Sequence, residues 1–412
     1  MNKKVRSIIS SLVVIIVILG GLLLFKDRKS REINGNITLW ANSINYDYLL
    51  RSSKSFMDAN PKAKIAVVNI ESYEYEEKIL EGLSSGILPD IIQADTEELL
   101  EIDEKYSDKV YINDEKSIVE TYSNNFTNGR IAEATKNNKL LGIPFTSNPI
   151  VLYLRQDMMD EFGYKHEDIN TWDELIKMGS DIYERSNGKI HVLNAVGKDY
   201  NYIISLLVMQ AMEGTSNEEE IQQEVIERIN LLKENNILNL KAGGSFLARI
   251  SSIDGMRELK SLEVPCVWTA NNAPAKKRGG NRFYIDEGNN LVVINNNDKN
   301  SELITRFIGF LATNTDDAVQ YINEGEFFLS FLSTYKDKSI EGPVKNFEGK
   351  SPLVIMANIT EKAPSIKDYD LYRKIKKELI IEWWYYIFIC INSFVWSMPP
   401  RELEAFIISF KR

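Results

Sequence analysis

From residue 37 to residue 92 the chain reads ITLW (37–40), a mixed stretch ending in Ala59-Asn60-Pro61, IAVVNI (65–70), and then YEEKILEGLSSGILPDII (75–92). In the first mixed stretch, Leu49, Leu50, Ser53, Phe56 and Met57 fall at i, i+1, i+4, i+7 and i+8, the stripe of an amphipathic helix, which Asn60-Pro61 ends. Tyr75, Ile79 and Leu83 mark a second such helix, closed by Gly86, and Pro89-Asp90 leads into a third apolar strand at Ile91-Ile92. Strand, helix, strand, helix, strand in that order predicts a parallel sheet with helices on its faces. Ligands of such sheets lie beyond the carboxyl ends of the strands, here Trp40 to Asn42, Ile70 to Tyr73, and Gln93 to Asp95.

Downstream, LLGIPF (140–145) and IVLYLR (150–155) are apolar runs separated by Asn148-Pro149. Thr171-Trp172-Asp173-Glu174 is a capping box opening a helix through Leu175, Ile176, Gly179 and Ile182, and a mostly helical pattern is read on to about Lys260. VPCVW (264–268) and NLVVIN (290–295) read as strands around a Gly/basic loop, AKKRGGNR (275–282). Leu303, Ile304, Phe307, Ile308 and Leu311 form the next helical stripe. No internal repeat is visible.

With 412 residues the chain is too long for one compact core, so two lobes are expected. Lys and Arg number 49 against 59 Asp and Glu, a net charge of −10. That sign argues against a nucleic-acid binder, which needs a basic surface. Two His and two Cys (Cys266 and Cys390) give no zinc spacing, no CxxC and no disulfide framework. No metal or other cofactor is expected.

The two ends differ from the middle. Ser7 to Phe25 carries no charge and is flanked by Lys3, Lys4 and Arg6 before it and Lys26, Arg28, Lys29 and Arg31 after it. At about 1.5 Å per residue it nearly spans a ~30 Å hydrocarbon core. A retained membrane anchor within residues 1–31 is favoured over a cleaved signal peptide, because only Gly20-Gly21 offers a small-residue cleavage site. At the other end, LIIEWWYYIFICINSFVWSM (379–398) holds Glu382 as its single charge. It reads as a second membrane segment, a buried helix, or a frame-shifted, non-native tail over 379–412.

The order and spacing of ITLW, FMDANPKAKI (56–65), YEEKILEGLSSGILPDII, LLGIPF, VLYLRQDMMDEFGY (151–164), TWDEL (171–175) and LVVINNNDKNSELITRFIGFLATN (291–314) resemble the extracytoplasmic solute-binding proteins of ABC importers, in the carbohydrate-binding group related to maltose-binding protein. The resemblance implies a two-lobed α/β fold of the periplasmic-binding-protein type II class, each lobe a mixed sheet flanked by helices, with ligand in the cleft. Lobe one would take residues 36–146 and about 290–330, lobe two 150–285, with crossings at 145–151 and 284–291 and residues 331–378 packed on the lobes. It implies no enzymatic activity, a sugar or oligosaccharide as ligand, delivered by hinge closure to an ABC permease as partner, and an extracytoplasmic location; a monomer is expected. A sensor ectodomain of the same fold and, less well supported, an extracellular carbohydrate hydrolase are the rival readings. The chain departs from the family pattern in two places: Leu154-Arg155 follows Leu152-Tyr153 where an aromatic and Asn are usual, and GGSFLARISSIDGM (243–256) replaces a small-residue stretch.

Sugars present apolar C–H faces and a rim of hydroxyls, so their sites need aromatic platforms with planar amides and carboxylates. Trp40 with Asn42 at the first strand end fits that need, although Trp40 fits a core cap equally well. Asp95 is read as a ligand acceptor or as the N-cap of the helix that follows. Tyr73 could stack from the second strand's exit, Trp268 offers a second platform, and Arg155 beside a crossing suits a carboxylate or phosphate. Trp172 is read as a packing residue.

Overall fold

The computed structural model describes residues 32–71, 73–107, 116–240, 245–294 and 300–381. The anchor reading of residues 1–31 and the apolar run from 382 onward lie outside the described residues.

The chain starts as expected from its first stretch. Strand β1 (Gly35–Asn42) runs into helix α1 (Ser43–Ala59), β2 (Ala63–Ile70) into α2 (Tyr75–Ser85), and β3 (Ile91–Ala94) into α3 (Thr96–Lys105). Short β4 (Ile143–Pro144) precedes the passage to the second lobe, where β5 (Asn148–Pro149) is followed at once by β6 (Val151–Arg155). Helix α4 (Trp172–Arg185), β7 (His191–Asn194), α5 (Lys198–Met212), α6 (Glu218–Glu234), β8 (Leu238–Asn239), β9 (Phe246–Ser251), α7 (Ile253–Ser261) and β10 (Trp268–Asn272) complete that lobe's sheet and its helices. The return passage is β11 (Ile285–Asp286), and β12 (Asn290–Val293) rejoins the first sheet before α8 (Ser301–Thr313) and α9 (Asp316–Glu324).

The first sheet has the order β2-β1-β3-β12-β4, with β1 parallel to β2 and β3 and β12 antiparallel to its neighbours. The second has the order β8-β7-β9-β6-β10, with β6 antiparallel to β9 and β10. Each is therefore a mixed sheet. The first sheet places Ile37, Leu39 and Ala41 on one face, and Trp40 packs on the other against Tyr75, Ile79, Leu99 and Ile102. The second packs Leu152, Leu154, Leu193 and Ile250 against α4, α5 and α6.

Two sequence expectations need correction. The stretch read as mostly helical up to Lys260 contains β7, β8 and β9. The strand read at Val264–Trp268 instead begins at Trp268 and runs to Asn272. Pro265 has no amide hydrogen to give to a ladder, and continuous pairing with β6 starts at Trp268 opposite Arg155.

Three passages of chain meet between the sheets. β5 and β11 pair antiparallel, Asn148 opposite Asp286 and Pro149 opposite Ile285. The third is the segment 327–330: the Ser147 amide donates to the Phe328 carbonyl at 2.8 Å, and the Ser330 amide to the Phe145 carbonyl at 2.8 Å. Gly288 is required here, because a Cβ at that position would lie 2.0 Å from the Thr146 carbonyl oxygen.

The chain then forms α10 (Pro352–Lys362), which packs on β10, and a helix over residues 369–381. Tyr372, Ile375 and Leu379 of this last helix are buried in the second core. Its polar side reaches elsewhere: the Tyr369 hydroxyl donates to the Gly129 carbonyl at 2.8 Å, and Lys377 pairs with Glu97 of α3. On the second lobe, Lys374 pairs with Glu218 at 2.7 Å. Leu379, the first residue of the apolar run noted in the sequence, is thus part of a core.

Candidate functional site

The sequence places a helix directly after β1, β3, β7 and β9, so the first turns of α1, α3, α5 and α7 gather where the strands of both sheets end. Between them lies a cavity of about 510 Å³. The first lobe lines it with Asn42, Ile44, Asn45 and Asp95, the passages with Thr146, Ser147, Asn148, Asp286 and Asn289, and the second lobe with Lys198, Asn201, Tyr202, Ile253, Asp254 and Arg257. Lys376 of the last helix closes one side and Glu326 to Phe328 another.

On the first wall the helix starts are capped by their own side chains. The Asn42 carboxamide oxygen accepts from the Asn45 amide at 3.2 Å and also from Asn45 Nδ2 at 3.2 Å. The Asn42 amide in turn donates to Gln93 Oε1 at 2.8 Å, tying β1 to β3 at the cavity edge. Asp95 and Glu98 form a full capping box, with the Glu98 amide on Asp95 Oδ1 at 2.8 Å and the Asp95 amide on Glu98 Oε2 at 2.9 Å. Burial pushes both carboxyls up; Glu98, beside the Asp95 charge, reaches about 7. Asn45 is 2% exposed and its Oδ1 has no hydrogen-bond partner among the described residues.

The second wall is built differently. The N-cap positions of α5 and α7, Gly197 and Ser252, supply no side-chain cap, and the buried Ser252 hydroxyl has no partner among the described residues. Asn201 Oδ1 is likewise buried and has no partner among the described residues. Buried acceptors left open are costly unless something donates to them, so Asn45 and Asn201 ask for a ligand carrying hydroxyl or amide donors.

Beneath the cavity the charges are paired across the passages. Lys376 Nζ lies 2.7 Å from Asp286 Oδ1 and 3.4 Å from Glu287 Oε2, and the Tyr372 hydroxyl donates to Asp286 Oδ1 at 2.7 Å. Burial, reinforced by the Asp286 charge and opposed by Lys376, lifts the Glu287 carboxyl to about 7. Burial pulls Lys376 down, and the two carboxylates more than offset it, so the ammonium stays charged.

Of the six side chains singled out in the sequence, Asn42 and Asp95 line this cavity, and Asp95 is at once a lining residue and the N-cap of α3. The other four stand elsewhere. Trp40 is one pleat short of the cavity and lies half-buried between the first sheet, α2 and α3. Trp268 is 1% exposed and packs in the core against Phe246. Arg155 makes a two-point pair with Asp157 at 2.8 Å on each arm and lies over the Trp268 ring at 5.5 Å, outside the cavity lining. Tyr73 is exposed beyond β2. Neither Trp40 nor Trp268 is part of the lining of this cavity, and the aromatic rings that are, Tyr202, Phe327 and Phe328, are themselves buried.

The sequence reading missed Asn45, Asn201, Asp254 and Arg257. Asn45 sits three residues after Asn42, the spacing of a cap and the amide it receives. The other three follow β7 and β9, and once those strands are seen the strand-end rule that found Asn42 and Asp95 finds them too.

Two mixed α/β lobes joined by three chain passages, with a polar cavity where their strands end, define a protein of the periplasmic-binding-protein fold. The chain belongs to the bacterial extracellular solute-binding protein family, whose family profile matches residues 52–285. It is similar to the lactose-binding protein of Rhizobium radiobacter, 23% identical over 173 residues, and spans 39% of the length of that relative. Its fold is similar to a periplasmic solute-binding protein from Pectobacterium atrosepticum, with a TM-score of 0.63 at 12% identity, over 81% of this chain and 88% of the other. The sugar-binding protein MalE from Xanthomonas citri gives a TM-score of 0.63 at 14% identity, over 85% and 99%.

Proposed function

We propose that this protein binds a small carbohydrate in the cavity between its lobes and delivers it to an ABC permease by hinge closure. The observation that carries the reading is the cavity itself: two facing walls of polar side chains in which the buried acceptors Asn45 Oδ1 and Asn201 Oδ1 await donors. A ring of hydroxyls supplies donors in several directions at once. The likeness to the lactose-binding and MalE proteins supports a sugar over other hydroxylated solutes.

Because Asn45 belongs to α1 and Asn201 to α5, only the closed arrangement lets one ligand meet both. A ligand shifts a two-state equilibrium by the difference in its affinity for the two states, and contacts made from both lobes are that difference. A dissociation constant near 1 μM corresponds to about −8 kcal/mol. Several charge-free hydrogen bonds at about 1 kcal/mol net each, together with burial of sugar C–H surface on Ile44 and Ile253, are of the right order. The uncharged segment Ser7 to Phe25 would hold the receptor on the outer face of the membrane beside its permease.

Titration calorimetry of the full-length chain against lactose, maltose, galactose and glucose tests this. At least one should bind, and Asn201→Ala should weaken it about tenfold, the equivalent of one hydrogen bond to a buried acceptor, with the melting midpoint unchanged. A receptor indifferent to every saccharide, or an Asn201→Ala variant of undiminished affinity, would remove the reading.

A further inference from the structure

Beneath the first wall lies a buried charge that the ligand cavity does not use. Arg130, on the short helix Asn128–Glu133, is 1% exposed and pairs with Glu133, also buried, three residues on. The Glu133 carboxylate accepts from the Thr96 hydroxyl at the start of α3, and Thr96 Oγ1 accepts from Asn290 Nδ2 at 3.2 Å. The far side of the guanidinium faces the chain passages. Arg130 Nη2 lies 3.0 Å from the Thr146 carbonyl oxygen, 3.3 Å from that of Asn289 and 3.4 Å from Asn290 Oδ1. Thr146 leads out of the first lobe and Asn289 leads back into it, so one side chain of that lobe holds both.

The two residues are also joined to each other. The Thr146 amide donates to the Asn289 carbonyl at 3.1 Å, and the Asn289 amide to Thr146 Oγ1 at 3.0 Å. From the segment 327–330, the Ser330 hydroxyl donates to the Thr146 carbonyl at 2.8 Å. All three passages therefore converge on one carbonyl oxygen that Arg130 holds from the first lobe. Past this knot the partners change sides: Asp286 is held by Tyr372 and Lys376 of the last helix, whose apolar side lies in the second core.

We infer that Arg130 is the positioning residue of the hinge. It fixes the first-lobe ends of the passages at Thr146 and Asn289, so closure turns at Ser147-Asn148 and Glu287-Gly288, between the two sets of contacts. The inference rests on the hinge-closure part of the reading above and on nothing about the ligand's chemistry. A buried ion is costly to desolvate, and the planar fork of an arginine is what lets one side chain meet a carboxylate and carbonyls of two strands at once; the point charge of a lysine does not. Thr146 and Asn289 also line the cavity, so the same clamp keeps its floor still while the walls move. With the clamp loosened, the lobes reach additional open geometries, and apparent affinity falls with the fraction of molecules able to close.

The test reads the hinge without ligand first. Spin labels at Lys54→Cys and Glu227→Cys, one on each lobe, in the full-length Cys390→Ser chain in detergent, give the distribution of distances between lobes. Arg130→Lys, which keeps the charge and loses the fork, should widen that distribution about twofold. Arg130→Met with Glu133→Gln removes both buried charges together and should widen it as much, so a folding failure of the lysine variant does not leave the question open. Thr96→Val takes a partner from Glu133 and leaves Thr146 and Asn289 untouched; it should lower the melting midpoint and keep the wild-type width. Wild-type width in the Arg130 variants, or equal widening in Thr96→Val, would overturn the clamp. Lactose and maltose then separate the two readings. Widened Arg130 variants beside a wild type that binds neither sugar would keep the clamp and count against the carbohydrate; a sugar-bound wild type whose distance does not move would remove hinge closure and the clamp with it.

Discussion

The two walls of the cleft are made from the same part, the first turn of a helix that follows a strand, yet they are finished in opposite ways. On the first lobe, Asn42 and Asp95 cap their helices, so the amide groups there are satisfied before any ligand arrives. On the second, Gly197 and Ser252 leave the starts of α5 and α7 without a side-chain cap. Helix starts carry unsatisfied amides and partial positive charge. Both walls keep an open acceptor, Asn45 Oδ1 and Asn201 Oδ1, and the uncapped wall adds helix-start amides as donors, so a sugar hydroxyl, donor and acceptor at once, suits the gap between them.

The largest expected effect concerns what stands behind the second wall. Trp268 is 1% exposed against Phe246, so Trp268→Ala should cost about 3–5 kcal/mol of stability. Sugar affinity in the protein that still folds should be unaltered. A stable variant with weakened binding, read by chemical denaturation beside calorimetry, would move Trp268 into the site and undo the contrast between core and wall.

A smaller effect sharpens the contrast between the caps. Asn42→Ala removes a cap that also lines the cavity, and should cost about 1 kcal/mol of stability together with a loss of affinity. Ser252→Ala, at the matching position of α7, removes a hydroxyl with no partner among the described residues and should leave stability nearly unchanged. Equal destabilisation by the two substitutions would show that the walls are finished alike.

The smallest effect is a slope. With its carboxyl lifted to about 7, Glu287 holds a proton in the folded state over a range where the unfolded chain has released it. Its contribution is full below the ordinary carboxylate range and is lost as pH rises toward 7. The melting midpoint should therefore fall from pH 5 to pH 7, and Glu287→Gln should reduce that fall. Glu98 on the first wall, also near 7, has the same sign and should retain the remainder. An unchanged slope in Glu287→Gln would assign the proton elsewhere.

The first lobe was legible because its strands are short apolar runs broken by Pro and Gly, and because strand ends mark where ligands bind. Asn42 and Asp95 followed from that rule. The second lobe was half hidden. β9 reads FLARIS, and Arg249 interrupts its apolar run; only the buried Asp199, fifty residues earlier, shows why a charge is tolerated there. β7 reads HVLN, too short for its period to be seen between two helices. With those strands unread, Asn201, Asp254 and Arg257 had no strand end to follow, and Trp268 was taken for the second platform. Trp40, read equally as a platform and as a core cap, stands as the second: it shares a face with Asn42, but one pleat earlier that face is roofed by α2 and α3.

The central claim is that one ligand joins the two walls. Spin labels at Lys54→Cys on α1 and Glu227→Cys on α6, with Cys390 replaced by Ser and Cys266 left buried, report the distance between lobes. Adding the sugar that binds in calorimetry should narrow the distance distribution and shift it to a single closed population, and Asn201→Ala should return much of it to the open one. A distribution that does not move while the sugar is bound would contradict closure as the mechanism.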